Sequence, residues 1–443
     1  MSLPRSTWIA PTLLACLTLS ACGGGSSGNS SDAAAATVSY TLGGSVSGLT
    51  SSGLILSNGS QTTSVAANAT TFSLGSTTGS YDVTIASQPD GQTCAVSQGS
   101  GTSSTAVQSV QVTCRGYVAY VANTNSSTIA QFTLGSGTGL LTAQSTATVS
   151  VGHQPSALAI TSDGAALYAA CDDDRAMNTY SVGSTGLLTL LGSVNGTTAG
   201  YSLALHPSLQ VLYAADFGGG TVSQYTLGSD RLPTAMSLRS VTAGLNPRAV
   251  AITPNGQYAY VINDAGDSIT QYQVGSTGAL TALSTATVPL TANDSPKAIV
   301  IDSSSTHAYV VLGGSNKIAQ FFIGSTGALV AMSPASVSTG TSPAGIAISP
   351  NGVYAYVTNQ GDDTVGQYQI ASGRLTAMAT ATVATGDAPH SVAVSPDGRY
   401  AYVTNSADAT VSQYAIGSGG SLQALSTATI GSGGMKPTAI VVR

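Results

Sequence analysis

One tyrosine recurs seven times in the same local setting, and this repeat limits the possible folds more than any other feature of the sequence. Consecutive copies are 48, 45, 47, 49, 47 and 46 residues apart. The positions are Tyr120, Tyr168, Tyr213, Tyr260, Tyr309, Tyr356 and Tyr402. Repeating units bury their faces against their neighbours, so an open array leaves its two ends exposed. Seven such units therefore predict a closed ring.

The fuller copies contain four short apolar runs separated by turn residues. They follow the pattern PxxxAxSPDGxYAYVTNxxDxTVxQYxIGSxGxLTALSTATV. No run has a helical period, and Asp-Gly or Asn-Gly between alternating runs is typical of a β-hairpin, because glycine supplies the positive φ of the turn. Four strands per unit, called A (PxxxAxS), B (YAYVTN), C (TVxQY) and D (LTALSTATV), predict a propeller blade. We expect an all-β chain with a seven-bladed β-propeller over residues 116–443.

The ring is expected to close where the two ends of the repeat region meet. The repeats begin at a B strand near Tyr117 and end on an A strand that runs from Pro437 to Arg443. The first and last segments must therefore complete one blade together. This pairing removes the free sheet edges that an open arc would expose. The recurrent aromatic residues of strands B and C are expected to pack the blades rather than to bind a ligand.

The N-terminus carries a targeting pattern. Arg5 precedes an apolar stretch from Trp8 to Leu19, which is followed by Ser20, Ala21 and Cys22. This arrangement resembles a bacterial lipoprotein signal, which implies a signal peptide over residues 1–21, a lipid on Cys22 and a flexible tether over 22–37. A plain secretory signal is the alternative. The resemblance implies an exported protein held at a membrane, with Gly23 favouring the outer membrane.

Residues 38–115 alternate between apolar and polar residues in short runs with turns rich in glycine and serine. This pattern predicts a small β-sandwich, either immunoglobulin-like or prealbumin-like, in front of the propeller. Cys94 and Cys114 lie in its last two predicted strands. In an exported chain such a pair is more often a disulfide than two free thiols. The remaining cysteine of the propeller, Cys171, is expected to be a small packed residue.

The charged residues exclude several classes of function. The formal net charge is −6, and all 18 acidic residues are aspartates, so no mechanism here can use a glutamate. The 12 lysines and arginines are scattered, which argues against a nucleic-acid partner. Aspartates in the B–C loops could ligate calcium, but aspartate is also a common turn residue. No metal-binding or phosphate-loop motif is found, and we expect neither a metal nor a cofactor.

The repeats also predict which face of the ring carries function. Antiparallel strands place the variable B–C and D–A loops on one face and the near-identical A–B and C–D turns on the other. The residues just after the proline slot that opens strand A are Ser156, Ser202, Arg248, Lys297, Ala344, His390 and Thr438. With His153 and Lys436 nearby, they form the most basic part of an acidic protein. We expect a small anionic ligand or a protein partner there, with Asp294 and Asp387 as neutralising residues.

The YAYVTN strands at Tyr354–Asn359 and Tyr400–Asn405 are similar to those of the YVTN family of β-propeller repeats. That family is related to the lactonase-type propellers, which include 6-phosphogluconolactonase and muconate-lactonizing enzymes. The resemblance spans residues 117–443 and implies the fold more than an activity. Family members that hydrolyse lactones are thought to use a histidine, an arginine and a glutamate at this face of the propeller. The resemblance therefore implies roles for His390 and Arg248, but this chain has no glutamate to complete the group. The cytosolic location of 6-phosphogluconolactone also conflicts with export. We therefore expect a lipid-anchored binding scaffold, with a lactone or sugar-acid hydrolase as the alternative.

Overall fold

The computed structural model describes residues 39–195 and 200–443, and within these ranges it is almost entirely β-structure. One short 3₁₀ turn, Thr124–Ser126, interrupts the strands. The prediction of an all-β chain with a small sandwich followed by a seven-bladed propeller is confirmed. The predicted signal peptide (1–21), the lipid site Cys22 and the tether (22–37) lie outside the described residues. A helix long and apolar enough to cross a membrane is not found in the described ranges.

The N-terminal module is built from two four-stranded sheets around one apolar core. Its strands are β1 (Tyr40–Ser47), β2 (Leu54–Asn58), β3 (Gln61–Val65), β4 (Thr71–Thr77), β5 (Ser80–Ser87), β6 (Gln92–Ser97), β7 (Ser100–Thr102) and β8 (Val107–Gly116). The sheets have the orders β4-β1-β8-β6 and β3-β2-β5-β7. Cys94 and Cys114 are directly opposite each other on β6 and β8 and form a disulfide. The two cysteines are 20 residues apart in the sequence. Closing a loop of this length contributes roughly 3 kcal/mol to the free energy of unfolding on the chain-entropy model.

The propeller follows from Val118 and consists of seven four-stranded sheets. The first blade takes β9 (Val118–Asn123), β10 (Thr128–Leu134) and β11 (Leu141–Ser150) from the start of the region. The second and third blades contain β12 (Pro155–Ile160), β13 (Ala166–Cys171), β14 (Ala176–Val182), β15 (Leu188–Asn195), β16 (Gly200–Leu205), β17 (Val211–Asp216), β18 (Thr221–Leu227) and β19 (Pro233–Thr242). The fourth and fifth contain β20 (Pro247–Ile252), β21 (Tyr258–Asn263), β22 (Ser268–Val274), β23 (Leu280–Pro289), β24 (Pro296–Ile301), β25 (His307–Leu312), β26 (Lys317–Ile323) and β27 (Leu329–Ser338). The last two contain β28 (Pro343–Ile348), β29 (Tyr354–Asn359), β30 (Thr364–Ala371), β31 (Arg374–Ala384), β32 (Pro389–Val394), β33 (Tyr400–Asn405), β34 (Thr410–Ile416) and β35 (Leu422–Gly431).

The two ends of the propeller region close the ring. The final strand, β36 (Pro437–Val442), pairs antiparallel with β9 and completes the first blade in the order β11-β10-β9-β36. Val118 and Arg443 exchange main-chain hydrogen bonds of 2.8 and 2.9 Å at the end of this pairing. Ile440 is buried in the core that the first blade shares with the last. The C-terminal strand therefore covers the edge of β9, which would otherwise be unpaired.

The recurrent tyrosine of strand B joins each blade to the next. Its hydroxyl donates to a main-chain carbonyl in the following blade's C–D turn at 2.5 to 2.8 Å. The seven bonds are Tyr120–Gly186, Tyr168–Arg231, Tyr213–Gly278, Tyr260–Gly327, Tyr309–Gly373, Tyr356–Gly420 and Tyr402–Gly139. Gly327 shows why glycine suits this turn, since its φ is +81° and a Cβ there would lie 2.2 Å from the Tyr258 ring.

A glutamine of strand C repeats the connection at six of the seven junctions in the described structure. Its Oε1 accepts the main-chain N–H of a leucine at the start of strand D in the next blade. The pairs are Gln131–Leu188, Gln224–Leu280, Gln271–Leu329, Gln320–Leu375, Gln367–Leu422 and Gln413–Leu141. At the remaining junction Thr179 replaces the glutamine, and Pro233 opens strand D. Because proline has no main-chain N–H, a glutamine at position 179 would find no hydrogen-bond donor at Pro233.

Tyr260→Phe should lower the free energy of unfolding by about 1–3 kcal/mol, because the buried Gly327 carbonyl loses its hydrogen-bond donor. Tyr258→Phe is the matched control, since the hydroxyl of Tyr258 donates to Ser325 in the same turn at an exposed position. We expect that control to change stability by less than about 0.5 kcal/mol. Urea unfolding of both variants measures the difference. Equal effects would show that the buried bond has no special contribution.

Deleting residues 437–443 should open the ring. The deletion exposes the edge of β9 and removes the packing of Ile440 against the last blade. We expect the melting temperature to fall by more than 10 °C and the protein to aggregate on heating. Calorimetry with light scattering measures both. A melting temperature equal to that of the full chain would contradict closure by β36.

Candidate functional site

A cavity of about 510 Å³ opens on the face formed by the B–C and D–A loops. Each blade contributes the second residue of its A strand to the wall, where the strand enters the central channel. These residues, called the mouth ring, are Ser156, Tyr201, Arg248, Lys297, Ala344, His390 and Thr438. Lys436, in the loop before β36, also lines the cavity. The blades thus place seven different side chains at equivalent positions around one opening.

The mouth ring corrects the sequence prediction in the third blade. There, Gly200 is paired with Asp216 in the way that Pro247 is paired with Asn263. Tyr201 therefore occupies the position of Arg248, and the predicted Ser202 lies one residue deeper. The error arises because this blade lacks the proline that marks the start of strand A elsewhere. Ser202 still lines the cavity, and its Oγ accepts a 3.3 Å bond from the N–H of Val250.

The two cations of the mouth ring share one carboxylate. Nζ of Lys297 lies 3.0 and 2.9 Å from the two oxygens of Asp264, and Nη1 of Arg248 lies 3.3 Å from Oδ2. Ser295 donates a further bond of 2.5 Å to Oδ1. Burial alone would raise the pKa of Asp264, but these hydrogen bonds and the two positive charges outweigh it and hold the pKa below its usual range. Asp264 is therefore ionised and fixes both cations at the cavity wall.

Asp294 and Asp387, predicted to neutralise the cations, form no ion pair with Arg248 or Lys297 in the described part of the chain, where Asp264 is the partner of both. Asp294 is buried and accepts the N–H of Thr291, whereas Asp387 is exposed and donates its own N–H to Asp408. Neither residue is among those that line the cavity. The only sequence signal for Asp264 was its place directly after strand B, which is shared by other loop aspartates. A repeat pattern cannot tell which loop residue turns toward a neighbouring blade.

His390 presents a neutral imidazole to the cavity. Its Nδ1 lies 2.7 Å from the carbonyl oxygen of Thr438, and a carbonyl only accepts, so Nδ1 carries the proton. Burial, together with the positive charges of Arg248 and Lys436, lowers the pKa of His390 to about 4 against the opposing effect of the Thr438 bond. Nε2 therefore keeps its lone pair at neutral pH. Within residues 39–195 and 200–443 no hydrogen-bond partner of Nε2 is found.

Tyr201 supports one of the cations, whereas His153 lies outside the cavity. The ring of Tyr201 contacts that of Phe217 with centroids 4.6 Å apart, and the guanidinium of Arg248 lies 5.5 Å from the Tyr201 centroid. This cation–π contact gives Arg248 a second support besides Asp264. His153, predicted to lie near the cluster, is exposed and bonds Asp174 through Nδ1 at 2.8 Å. It does not line the cavity.

The loop aspartates considered as calcium ligands mostly hold loops together. Their carboxylates accept main-chain N–H groups of the adjacent D–A loops, as in Asp174–His153, Asp267–Ser295, Asp362–Thr341, Asp363–Ala388 and Asp408–Asp387. In the described part of the chain, no group of three or more His, Cys or Asp residues is placed to hold a metal ion. Cys171 is buried, and that burial raises the pKa of its thiol to about 12, so it is a poor nucleophile.

Comparison with known proteins identifies a family match over the propeller. The model of the family described as lactonase, 7-bladed beta-propeller, matches residues 115–437. That match covers well over half of the chain. A search of the curated proteins finds no match.

Solved structures share the fold at low sequence identity. A Bacteroides uniformis protein, provisionally described as a 6-phosphogluconolactonase, is 19% identical with a TM-score of 0.66, covering 74% of this chain and 99% of its own. A Lactobacillus plantarum protein is 21% identical with a TM-score of 0.65 over 74% and 99%. The periplasmic gluconolactonase of Pseudomonas aeruginosa is 18% identical with a TM-score of 0.65 over 74% and 98%. At these identities the likeness establishes a common fold.

Asp264→Asn should lower the free energy of unfolding by about 1–3 kcal/mol, because it leaves Arg248 and Lys297 close together without a counter-charge. Inorganic phosphate should then raise the melting temperature of the variant more than that of the wild type, since an anion can take the place of the carboxylate. Thermal unfolding over a phosphate series measures this.

The control for that experiment is Asp163→Asn, which breaks a surface ion pair with Arg231 on the opposite face. We expect it to cost less than about 1 kcal/mol and to show no added response to phosphate. An Asp264→Asn variant that responds to phosphate no more than the control would contradict the assigned role of Asp264.

Proposed function

This chain belongs to the lactonase family of seven-bladed β-propellers, and we propose that it binds a lactone at the mouth ring and hydrolyses it. The observation that carries the proposal is the pairing, in one cavity, of a neutral His390 with the cations Arg248 and Lys297. A base with a free lone pair and fixed positive charges are the two groups that ester hydrolysis needs.

The proposed reaction uses His390 as a general base. Nε2 accepts a proton from a water molecule while the water oxygen attacks the lactone carbonyl carbon. The negative charge that develops on the carbonyl oxygen is stabilised by Arg248 and Lys297. When the ring C–O bond breaks, the imidazolium returns the proton to the leaving alkoxide oxygen. The product is an open-chain hydroxy acid, and the imidazole is neutral again.

The lack of glutamate does not weigh against this reaction. A carboxylate is present next to the site as Asp264, which does not itself line the cavity but holds the two lining cations in place. The proton transfer itself is assigned to His390, whose Nδ1 is fixed by the carbonyl of Thr438. A carbonyl can therefore orient the imidazole where other sites use an acidic side chain.

Export is also compatible with lactone hydrolysis. The Pseudomonas aeruginosa protein that shares this fold is named a periplasmic gluconolactonase. That name supports the proposal that a propeller of this kind can act outside the cytosol. A binding scaffold without turnover is the competing function, and it keeps the same cavity and the same anion-binding residues.

His390→Gln should lower kcat/KM for lactone hydrolysis by about 100-fold or more, because glutamine can still donate to Thr438 but cannot accept the proton of water. Acid release from a panel of lactones, followed by pH-stat titration with the full chain, measures the rate. Arg374→Gln, at an exposed position on the outer strand β31, is the control and should retain full activity. Unchanged activity in His390→Gln would contradict the proposed base. Lactone binding without turnover in the wild type would favour the scaffold.

The pH dependence follows from the low pKa of His390. The base is active only when unprotonated, so kcat/KM should be constant between about pH 6 and 8 and fall as pH decreases toward 4. Arg248→Gln removes a positive charge that lowers this pKa, so the acid limb should move to higher pH. An acid limb at the same pH in both proteins would contradict the coupling between Arg248 and His390.

We also propose that Cys22 carries a lipid that anchors the protein at a membrane. Cys22→Ser should abolish incorporation of radiolabelled palmitate and move the protein from the detergent phase to the aqueous phase. Cys16→Ser is the control, because Cys16 lies within the predicted signal peptide and should have no effect on either measurement. Equal labelling of Cys22→Ser and the wild type would contradict the anchor.

A further inference from the structure

Below the mouth ring the cavity has an aliphatic tier. Side chains two residues apart on a strand point to the same face, about 7 Å further along the strand. Two positions below the mouth ring, each of the seven blades carries an aliphatic residue that lines the cavity. This tier consists of Leu158, Leu203, Val250, Ile299, Ile346, Val392 and Ile440. The same side chains also pack in the cores between blades, so each presents only part of its surface to the cavity. The cavity is thus polar at its mouth and apolar beneath.

The polar groups of the cavity are largely engaged within the protein. Ser156 donates to the carbonyl of Gly200 at 2.9 Å, and the hydroxyls of Thr438 and Thr124 are 2.6 Å apart. Between the mouth ring and the tier, the lining residues with hydroxyls are Ser202 and Ser391. A ligand with many hydroxyls would leave several of them unpaired against aliphatic side chains, which is unfavourable.

The charges at the mouth favour an anionic or strongly polar head group. Arg248, Lys297 and Lys436 line the opening, as does one carboxylate, Asp172. A second carboxylate, Asp264, lies outside the lining and is paired with Arg248 and Lys297. The cavity volume lies within the range of ordinary small-molecule sites. A molecule that combines a small polar head with an apolar tail fits both levels of this cavity, whereas a sugar fits only the upper level.

We propose that the cavity binds amphiphiles, with a carboxylate or lactone head at the mouth ring and an unbranched alkyl chain against the aliphatic tier. The substrate would then be an alkyl-substituted lactone and the product a hydroxy fatty acid. The lactone part of this inference rests on the proposed function. The binding of the alkyl chain does not.

The test is calorimetric titration of the full chain with butyrate, hexanoate, octanoate and decanoate, and with gluconate. Burial of each added methylene should raise the affinity about fourfold until the tier is covered. Decanoate should therefore bind at least 100-fold more tightly than butyrate, and gluconate should bind no more tightly than butyrate. Equal affinities across the series, or gluconate as the tightest ligand, would overturn the proposal.

Substitutions in the tier locate the alkyl chain. Ile346→Phe should weaken decanoate binding at least tenfold and leave butyrate binding unchanged, because the larger side chain fills the space below the mouth ring. Val330→Phe, at a position that is 56% exposed, is the matched control and should change neither. If Ile346→Phe does not fold, Val392→Thr places a hydroxyl in the tier and should weaken decanoate alone. Decanoate binding that is insensitive to the tier would overturn the proposal.

Hydrolysis of butyrolactone, γ-decalactone and gluconolactone separates this inference from the proposed function. Chain-length-dependent binding of the carboxylates without hydrolysis of any lactone would support the amphiphile site and contradict the enzyme. Hydrolysis of gluconolactone without an effect of chain length would support the enzyme and contradict the amphiphile site. Faster hydrolysis of γ-decalactone than of butyrolactone would support both.

Discussion

The hydrogen bond from each B-strand tyrosine to the next blade's C–D turn is the interaction on which the ring depends. It recurs at every junction of the described propeller and is buried at all of them except the partly buried Tyr168–Arg231 bond. The bond from Tyr402 to Gly139 crosses from the last blade to the first. Because an unpaired buried carbonyl is costly, each junction favours one spacing and one angle between blades. The pairing of β36 with β9 then completes a circle whose geometry the tyrosines have already set.

This regularity is why the sequence predicts the fold well. The tyrosine, the Asp-Gly turns and the aliphatic strands have the same task in every blade, so they repeat and can be read without a structure. The glutamine of strand C repeats as well, yet its bond to the next blade could not be read from the sequence. The acceptor and its donor are more than 50 residues apart, and only the ring brings them together.

The site could be predicted only in part, for the opposite physical reason. The second residue of strand A faces the channel and contacts no neighbouring core, so packing does not restrict it and each blade carries a different side chain. Arg248, Lys297 and His390 could be found because they break the repeat. Ser202 was predicted in place of Tyr201 because this blade has no proline to mark the start of strand A. The role of Asp264 depends on which way a loop side chain turns. The tier below could not be predicted, because its aliphatic residues also pack in the cores between blades and the sequence pattern of a core residue does not show that it borders a cavity.

The measurement that tests the account most directly is a crystal structure of the His390→Gln variant with an intact alkyl lactone. The variant should bind the lactone without hydrolysing it. The account predicts that the lactone carbonyl oxygen lies within hydrogen-bond distance of Arg248 or Lys297, and that the alkyl chain contacts the aliphatic tier. A lactone bound elsewhere on the protein, or a cavity that stays empty at saturating concentration, would contradict the account.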